Sequence, residues 1–469
     1  MMRAAIALSA LALASLAPAG AGAASRRPVE VLFFLYTEDY TDPGTADSIK
    51  RFAELFAEEG VKAHFAVVGF LADQLERWGR RDVLDSLRPH LVGTQTLYHS
   101  RHPDICELTD VADFDVAYKR VFDEERRAAE SVRRATGCDR VWCAVPPGNS
   151  KSYAAFYAWA DLGIPFVCDT VVWDRADSDI WYCNIRQVRY DVTMEIYVPG
   201  WAKNPPDVPA LLDSLASRRR VALYAHPHFA VRTVHWDSVN YNRTNAVPWG
   251  EWKPAPKRPE AETEAYFAKV RELVRALKAD VRFEITDLSR LFQPEVRRAL
   301  RRDDLPTVKV ALSSSMVPLE RPGSWCVADV FKAVVGFLRG EGPHAPGKVY
   351  GFLSEPRGVE AETSVSRQEL VEAARRMDVS RFLPASIDVG RGKIGPADFL
   401  FAALDALTTS ADRFTIRPRD QLGDLGAFPE LKSFRLKGTW VHTPQLEDRY
   451  LSDRLRWQLW TLRRDDWRR

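Results

Sequence analysis

The chain lacks a strong excess of charge of either sign. Its 469 residues carry 66 Lys and Arg against 64 Asp and Glu, which leaves a formal net charge of +2. Because a nearly neutral protein exerts little long-range attraction on phosphate backbones, nucleic acid is not an expected partner. With 46% hydrophobic and 28% charged residues, the composition is that of an ordinary globular protein and excludes a disordered chain.

Several catalytic and metal-binding patterns are also missing. The six cysteines include no C-x-x-C pair, which argues against a zinc ribbon or a thioredoxin-like redox site. No G-x-S-x-G elbow is present, which disfavours a metal-independent serine hydrolase. The cysteines could form disulfides in an oxidising compartment, but their spacing alone does not choose the pairing.

Long apolar runs are missing except at the N-terminus. Arg3 precedes an apolar run from Ala4 to Ala17, and a small-residue stretch ends in Ala21-Gly22-Ala23, as is typical of a secretory signal. The run is short for a membrane span, and no second candidate follows. We therefore predict a signal peptide over residues 1–23, export to the periplasm or the extracellular space, and no stable membrane span after cleavage.

From Val29 onwards, apolar strand-like runs alternate with helical patterns. Val29 to Tyr36 predicts a strand, and Ala46 to Glu59 carries apolar residues at helical spacing before the stop signal Gly60. Further strands are predicted over residues 62–68, 140–145, 164–168, 220–225 and 281–285. Such alternation indicates the α/β class with a parallel sheet or a (β/α) barrel, whose functional residues follow the carboxyl ends of the strands.

The pattern changes after Gln293. A charged stretch from Arg297 to Asp304 looks like a linker, and helical patterns follow it. We predict a barrel domain over residues 24–296, a helix-rich domain over residues 305–425 and a C-terminal tail over residues 426–469. The helix-rich domain could be an accessory domain that binds glycan or cell wall, or a purely structural cap.

An acidic pair follows the first predicted strand. Glu38 and Asp39 come directly after Thr37, and two adjacent carboxylates at a strand end can divide the work of a metal hydrolase. One would bind the ion and the other would accept a proton from the attacking water. The alternative is an acidic turn or a helix cap.

Histidines follow two further strands. His99 and His102 would share a face if their segment were helical, and both could then reach one ion. The alternative is a solvated or hydrogen-bonded pair. His226 closes an apolar strand, where it is placed to act as a general acid, and His228 is expected to orient its neighbours or to be structural.

Taken together, these segments resemble the polysaccharide deacetylase family, the NodB-homology domain of the carbohydrate esterases. In that family a T-F-D-D-G-like strand end supplies a base and a metal carboxylate, an H-[ST]-x-x-H motif supplies two metal histidines, and a late L-x-H supplies the acid. The resemblance implies that Glu38 is the base, Asp39 the metal carboxylate and His226 the acid. Gln95-Thr96-Leu97-Tyr98-His99 matches the paired-histidine motif.

The resemblance runs from about Val29 to Phe292 and implies a distorted (β/α) barrel. Pro146-Pro147-Gly148 is similar to the family's R-P-P-Y-G turn, and Trp236-Asp237-Ser238-Val239-Asn240 is similar to a W-D-x-V-N segment of one branch. The residues that we accordingly expect to contact substrate are Tyr40, Pro147, Asp169, Trp173, His228 and Trp236.

The chain departs from the family pattern at two positions. Gln95 stands where the first metal histidine is expected, and an amide oxygen is a poorer ligand than imidazole for zinc-like ions. Either Gln95 or His102 could complete the ligand set. Val145 stands where an Arg normally precedes the Pro pair, so the residue that orients the base is missing.

The resemblance therefore implies an exported, metal-dependent deacetylase that removes N- or O-acetyl groups from a glycan or cell-wall polysaccharide. One divalent ion, expected to be zinc, would be held by Asp39 and His99 with His102 or Gln95 and would activate a water. Glu38 would take the proton of that water, and His226 would protonate the leaving group. The alternative is a non-catalytic glycan-binding protein that keeps the barrel.

Overall fold

The computed structural model describes residues 27–168, 172, 179–241, 247–292, 297–314, 316, 325–436 and 441–465. The predicted signal peptide over residues 1–23 lies outside the described residues, as do Asp169 and Trp173.

Strands and helices alternate through the first 300 residues, as the sequence predicts. The strands are β1 (Val29–Thr37), β2 (His64–Val67), β3 (Leu91–Thr94), β4 (Cys143–Ala144), β5 (Phe166–Cys168), β6 (Asp179–Tyr182), β7 (Ile185–Val188), β8 (Val192–Thr193), β9 (Arg220–Ala225) and β10 (Phe283–Ile285). The helices are α1 (Ala46–Glu58), α2 (Gly69–Arg77), α3 (Arg81–Ser86), α4 (Ile105–Thr109), α5 (Phe114–Thr136), α6 (Tyr153–Asp161), α7 (Val208–Leu215), α8 (His228–Val231), α9 (Glu260–Ala279) and α10 (Leu288–Leu291).

The strands pair in the cyclic order of a (β/α) barrel. Parallel pairing runs β7-β5-β4-β3-β2-β1-β9-β8, and β10 adds to the start of β1. β7 and β8 form opposite ends of this run, yet only residues 189–191 separate them along the chain. One bent stretch of backbone therefore joins the two ends of the parallel run, which distorts the ring. Beyond β7 the sheet continues with the antiparallel β6. The predicted α/β class and distorted barrel are confirmed.

The alternation of side chains along β1 builds two cores. Leu32, Phe34 and Tyr36 pack with side chains of other strands inside the barrel. The intervening residues Val31 and Phe33 pack outwards against the helices. All nine residues of β1 are buried, as is typical of a parallel strand covered on both faces.

The C-terminal part is helix-rich and has its own apolar core. Its helices are α11 (Leu305–Ser314), α12 (Val327–Leu338), α13 (Arg367–Arg376), α14 (Pro396–Thr408), α15 (Pro429–Ser433) and α16 (Ser452–Trp457). Its strands are β11 (Thr363–Ser366), β12 (Ile387–Val389), β13 (Gly392–Ile394), β14 (Arg413–Ile416) and β15 (Arg463–Asp465). The last of these pairs antiparallel with β6, so the chain's end returns to the barrel sheet. The predicted domain bounds 24–296, 305–425 and 426–469 stay a prediction.

Two further findings concern cysteines and membrane spans. The thiols of Cys106, Cys138, Cys143, Cys183 and Cys326 form no disulfide in the part of the chain that the structure describes. Among those same residues, no helix combines the length and the apolar character needed to cross a bilayer.

Candidate active site

Glu38 reaches the mouth of the barrel because of its position on the strand. It continues the inward-facing series of Phe34 and Tyr36, since side chains two residues apart point to the same side. Glu38 is only 2% exposed and lines a pocket of about 220 Å³. Asp39 has the opposite parity and is not among the described residues that line this pocket. Because side chains alternate along β1, Glu38 lines the pocket and its neighbour Asp39 does not.

Imidazole and amide groups converge on the Oε1 atom of Glu38. Gln95 Nε2 donates a hydrogen bond to it at 2.6 Å. The Nε2 atoms of His99 and His226 each lie 3.3 Å from the same oxygen. The predicted motif residues Gln95, His99 and His226 are thus brought together around Glu38.

The Oε2 atom of Glu38 has partners of its own. Trp236 donates its indole N–H at 2.9 Å, and His235 Nε2 lies 3.3 Å away. Burial alone would raise the pKa of Glu38, but His99 and His226 outweigh it and hold that pKa well below its usual value. Glu38 is therefore a buried carboxylate that stays ionised and whose two oxygens are both engaged.

His226 is oriented by a carboxylate that the sequence analysis missed. Glu195 Oε1 accepts hydrogen bonds from the backbone N–H and from Nδ1 of His226, each at 2.6 Å. Burial alone would lower the pKa of His226, but Glu195 and Glu38 raise it to about 10. Because Nδ1 is bound to Glu195, the proton on Nε2 points towards Glu38 and the pocket. Glu195 follows the two-residue strand β8, which is too short to leave a periodic signal.

His235 was also missed, although it directly precedes the quoted Trp236-Asp237 segment. Its Nδ1 lies 2.9 Å from Asp237 Oδ1, which fixes the ring with Nε2 towards Glu38. Burial works against its charged form, but Asp237 and Glu38 outweigh burial and raise the pKa of His235. Asp237 is itself held by a hydrogen bond from the hydroxyl of Ser100. The site therefore contains two imidazoles, those of His226 and His235, that each have their own acidic partner.

His228 supplies an imidazole that makes no hydrogen bond to the described residues. Its side chain is buried, and neither ring nitrogen has a hydrogen-bond partner among the described residues. Burial and the neighbouring His235 hold the pKa of His228 well below its usual value, so the ring is neutral. Glu38, His228 and His235 each offer a ligand atom, and these atoms lie within 4.8 Å of one another. A carboxylate with two imidazoles is a donor set that suits a zinc-like ion, so these residues fit a metal.

The predicted metal set of Asp39, His99 and His102 is not gathered around one point. Asp39 Oδ1 accepts hydrogen bonds from the backbone N–H of Thr41 at 2.9 Å and from its hydroxyl at 2.5 Å. His102 Nδ1 lies 2.9 Å from Glu107 Oε2, beside α4. The segment from His99 to His102 is a series of turns and bends, and His99 has a φ of 56°. The two histidines therefore do not share a helical face.

Tyr40 and Trp236, which we expected to contact substrate, are core residues. Both are buried, and the Tyr40 hydroxyl donates a hydrogen bond to the carbonyl of Tyr98 at 2.7 Å. Trp249 and Trp252 complete an aromatic cluster around Tyr40. Pro147 is buried between two residues, Pro146 and Gly148, that do line the pocket.

The pocket is walled by aromatic side chains. Trp201, which is 41% exposed, stands at the pocket and packs edge-on against Phe229 with ring centroids 4.7 Å apart. Tyr190 and Tyr224 line the same space and also pack edge-on. Tyr190 lies in the bend between β7 and β8, so the distortion of the barrel shapes the wall.

Comparison with known proteins gives matches among solved structures alone. No protein-family model matches the chain, and no curated protein matches it. It is similar to a CE4 family pseudoenzyme from Bacillus anthracis, with 14% identity and a TM-score of 0.30 over 53% of this chain and 62% of that chain. It is similar to a family 4 carbohydrate esterase from Streptomyces lividans in complex with acetate, with 13% identity and a TM-score of 0.29 over 55% of this chain and 91% of that chain.

A third similar structure is a 4-alpha-glucanotransferase from Thermococcus litoralis, with 11% identity and a TM-score of 0.39 over 62% of this chain and 47% of that chain. The first two structures bear the name of the family that the sequence motifs resemble. The chain spans less than two thirds of the pseudoenzyme's length. At such low TM-scores the fold rests on the strand pairing described above.

Proposed function

We propose that the chain is a metal-dependent hydrolase that removes acetyl groups from a glycan. The observation that carries the proposal is the approach of His226, oriented by Glu195, to within 3.3 Å of the ionised Glu38 in an aromatic-walled pocket. An imidazole held by one carboxylate and facing a second, beside two further imidazoles that suit a metal ion, is an arrangement typical of acid–base hydrolysis.

Glu38, His228 and His235 would hold the ion, which we propose to be zinc. A zinc ion bound there would lower the pKa of a coordinated water and stabilise negative charge on the carbonyl oxygen of the substrate. Asp237 supports this role because it fixes the ring of His235 and leaves Nε2 directed at Glu38.

His226 would be the general acid. Its Nδ1 is bound to Glu195, so the proton available for transfer is the one on Nε2, which faces the pocket. That proton would pass to the nitrogen or oxygen of the leaving sugar as the acetyl group departs. Glu195 would be a positioning residue, since it touches His226 and holds the ring in one orientation.

Glu38 is better suited to anchor the ion than to act as the base. Gln95 and Trp236 already donate hydrogen bonds to its two oxygens at 2.6 and 2.9 Å. A carboxylate with a strongly lowered pKa is also a weak proton acceptor. We therefore move the predicted role of Glu38 from base to metal ligand, and the proton lost by the coordinated water would pass to solvent.

A glycan is proposed as the substrate because the pocket wall is aromatic. Trp201, Tyr190, Tyr224 and Phe229 present apolar ring surface around a polar floor. Flat aromatic faces suit the apolar faces of sugar rings, and the hydroxyls of the tyrosines can fix orientation.

A non-catalytic glycan-binding protein is the second candidate. The observation that favours it is that Asp39 and His102 are not among the described residues that line the pocket. Such a protein would keep the aromatic wall and bind sugar without hydrolysing it.

Acetate release separates the two candidates. The full-length chain, loaded with zinc, is incubated with N-acetylglucosamine oligomers and with acetylated xylan, and free acetate is measured. We expect release that falls to background in His235→Ala and is kept in His344→Gln, a matched histidine variant at a position that is not among the described lining residues. Binding of either glycan without acetate release from the zinc-loaded chain would contradict the hydrolase and favour the binding protein.

Export is also a proposal. Its support is the charged, apolar and small-residue order of residues 1–23. Expression in a bacterial host, followed by mass analysis of the mature N-terminus, should show cleavage after Ala23. A full-length protein that stays in the cytosol would contradict it.

A further inference from the structure

A second group of metal-ligating side chains lies at α4, outside the pocket. Asp104, Cys106 and His442 each offer one ligand atom, and these atoms lie within 4.8 Å of one another. Asp104 is the N-cap of α4, Cys106 lies in its first turn, and His442 belongs to the C-terminal segment of residues 441–465. All three side chains are buried. We call these three residues the sealed cluster.

Asp104 joins the helix to the C-terminal segment. Its Oδ1 accepts hydrogen bonds from the backbone N–H groups of Cys106 and Glu107 at 2.8 and 3.0 Å. Its Oδ2 lies 2.5 Å from Nδ1 of His442. The carboxylate is thereby held in a single orientation, with no freedom to turn towards solvent.

His442 turns its Nδ1 atom towards the cluster. This nitrogen lies 2.5 Å from Asp104 Oδ2, and both side chains are fully buried. The Cys106 sulfur is held weakly, because its contact with the Lys151 carbonyl is 3.6 Å long. A divalent ion in the place of the proton between Asp104 and His442 would be within reach of all three side chains, whose ligand atoms lie within 4.8 Å of one another.

We propose that the sealed cluster binds a structural divalent ion of the zinc type. The carboxylate of Asp104 and the thiolate of Cys106 together balance the charge of a divalent ion, and the neutral imidazole of His442 adds none. Cysteine, histidine and aspartate are all ligands that zinc takes in proteins. A buried ion with its charge balanced avoids the cost of burying an unpaired charge.

The ion fastens the C-terminal segment to the barrel. Glu107 Oε1 accepts a hydrogen bond from the Thr443 N–H at 2.7 Å, directly after His442. Further along, Asp110 accepts from the backbone of Tyr450 at 2.8 Å, and β15 pairs with β6. Because the cluster is sealed from solvent, it takes no part in the hydrolysis proposed for the pocket, and the two proposals stand independently.

Cobalt substitution tests the proposal with a readout that the pocket cannot give. The full-length chain is refolded with Co²⁺, and its absorption spectrum is recorded. We expect a sulfur-to-cobalt charge-transfer band, because Cys106 is in the ligand set and the pocket offers nitrogen and oxygen ligands. The band should disappear in Cys106→Ser, with a loss of about one ion per chain. It should remain in Cys138→Ser, a thiol outside the cluster, and in His235→Ala, which alters the pocket.

The wild-type spectrum decides the question even if Cys106→Ser does not fold. Cobalt uptake without a charge-transfer band, or no uptake at all, overturns the proposal. A band that survives in a folded Cys106→Ser variant also overturns it. As a second measurement on the wild type, chelation of the zinc-loaded chain should lower its unfolding temperature and expose residues 441–465 to limited proteolysis.

Discussion

The pocket around Glu38 and the sealed cluster around Asp104 use the same residue types in opposite settings. At the pocket, His226 and His235 each have an acidic partner behind them and face open space. In the sealed cluster, His442 and Asp104 face each other with no exposed surface. The difference lies in access, since histidine and carboxylate occur in both. Access to water and substrate would allow the pocket residues to do the proposed chemistry, whereas the buried residues of the sealed cluster would hold two parts of the chain together.

The largest effect that this comparison predicts is the loss of activity in His226→Gln. The amide can still donate a hydrogen bond to Glu195, but it has no proton to give to a leaving group. We expect acetate release to fall about 10²–10⁴-fold, while the free energy of unfolding changes by less than about 1 kcal/mol. Steady-state rates and urea unfolding measure the two quantities. A rate within tenfold of wild type would remove His226 from the mechanism.

The sealed cluster should respond in the opposite way. His442→Ala removes the buried hydrogen-bond partner of Asp104 and leaves one oxygen of that carboxylate unpaired. We expect the free energy of unfolding to fall by about 3 kcal/mol, with the rate per folded molecule unchanged. Urea unfolding and acetate release are the measurements, with His344→Gln as the matched control. Unchanged stability would show that His442 does not fasten the C-terminal segment.

A third carboxylate shows what burial does without imidazole partners. Glu125 on α5 is buried, and one of its oxygens accepts a hydrogen bond from the Trp159 indole at 2.7 Å. Burial raises the pKa of Glu125 to about 8 and that of its neighbour Glu124 to about 7. In Glu38, by contrast, the surrounding imidazoles reverse the effect of burial.

The sign of the Glu125 effect on stability follows from this raised pKa. The contribution of protonated Glu125 to the free energy of unfolding is fully present below pH 4.5, the usual pKa of a glutamate, and is lost as the pH rises through about 8. We expect Glu125→Gln to be more stable than wild type at the upper end of this window by about 2–4 kcal/mol, and to differ little at the lower end. Because Glu124 also titrates, the free energy of unfolding of the variant still depends on pH, but less steeply than that of wild type. Urea unfolding at the two ends of this pH window measures the difference in stability. An equal dependence of stability on pH in both proteins would contradict the assignment.

The sequence predicts the fold better than it predicts the candidate site. Local alternation of strands and helices was enough to predict a parallel sheet or a (β/α) barrel, because each element leaves its own periodic pattern. The choice of a distorted barrel came from the family resemblance. The bend between β7 and β8 and the pairing of β15 with β6 depend on contacts between distant residues, which leave no local signal.

Within the site, the predictable part was the part set by the strand pleat. The inward series Phe34, Tyr36 and Glu38 could have been extended from the β1 pattern, and it would have placed Asp39 outside the pocket. Glu195 and His235 come from irregular segments with no period. Only their contacts in the folded chain identify them.

The smallest of the predicted effects concerns Glu195, which lines the pocket and holds the ring of His226. Glu195→Gln keeps the size of the side chain but removes the negative charge that stabilises the imidazolium. We expect acetate release to fall about 10–100-fold. Because Glu195 raises the pKa of His226, the loss of activity on raising the pH should begin at lower pH in the variant than in wild type. The pH–rate profile measures this shift, and the exposed Glu251→Gln is the matched control. A lower rate without a shift of the alkaline limb of the pH–rate profile would mean that Glu195 shapes the pocket but does not set the pKa of His226. The pocket would then resemble the sealed cluster, because its carboxylate would have a structural role alone.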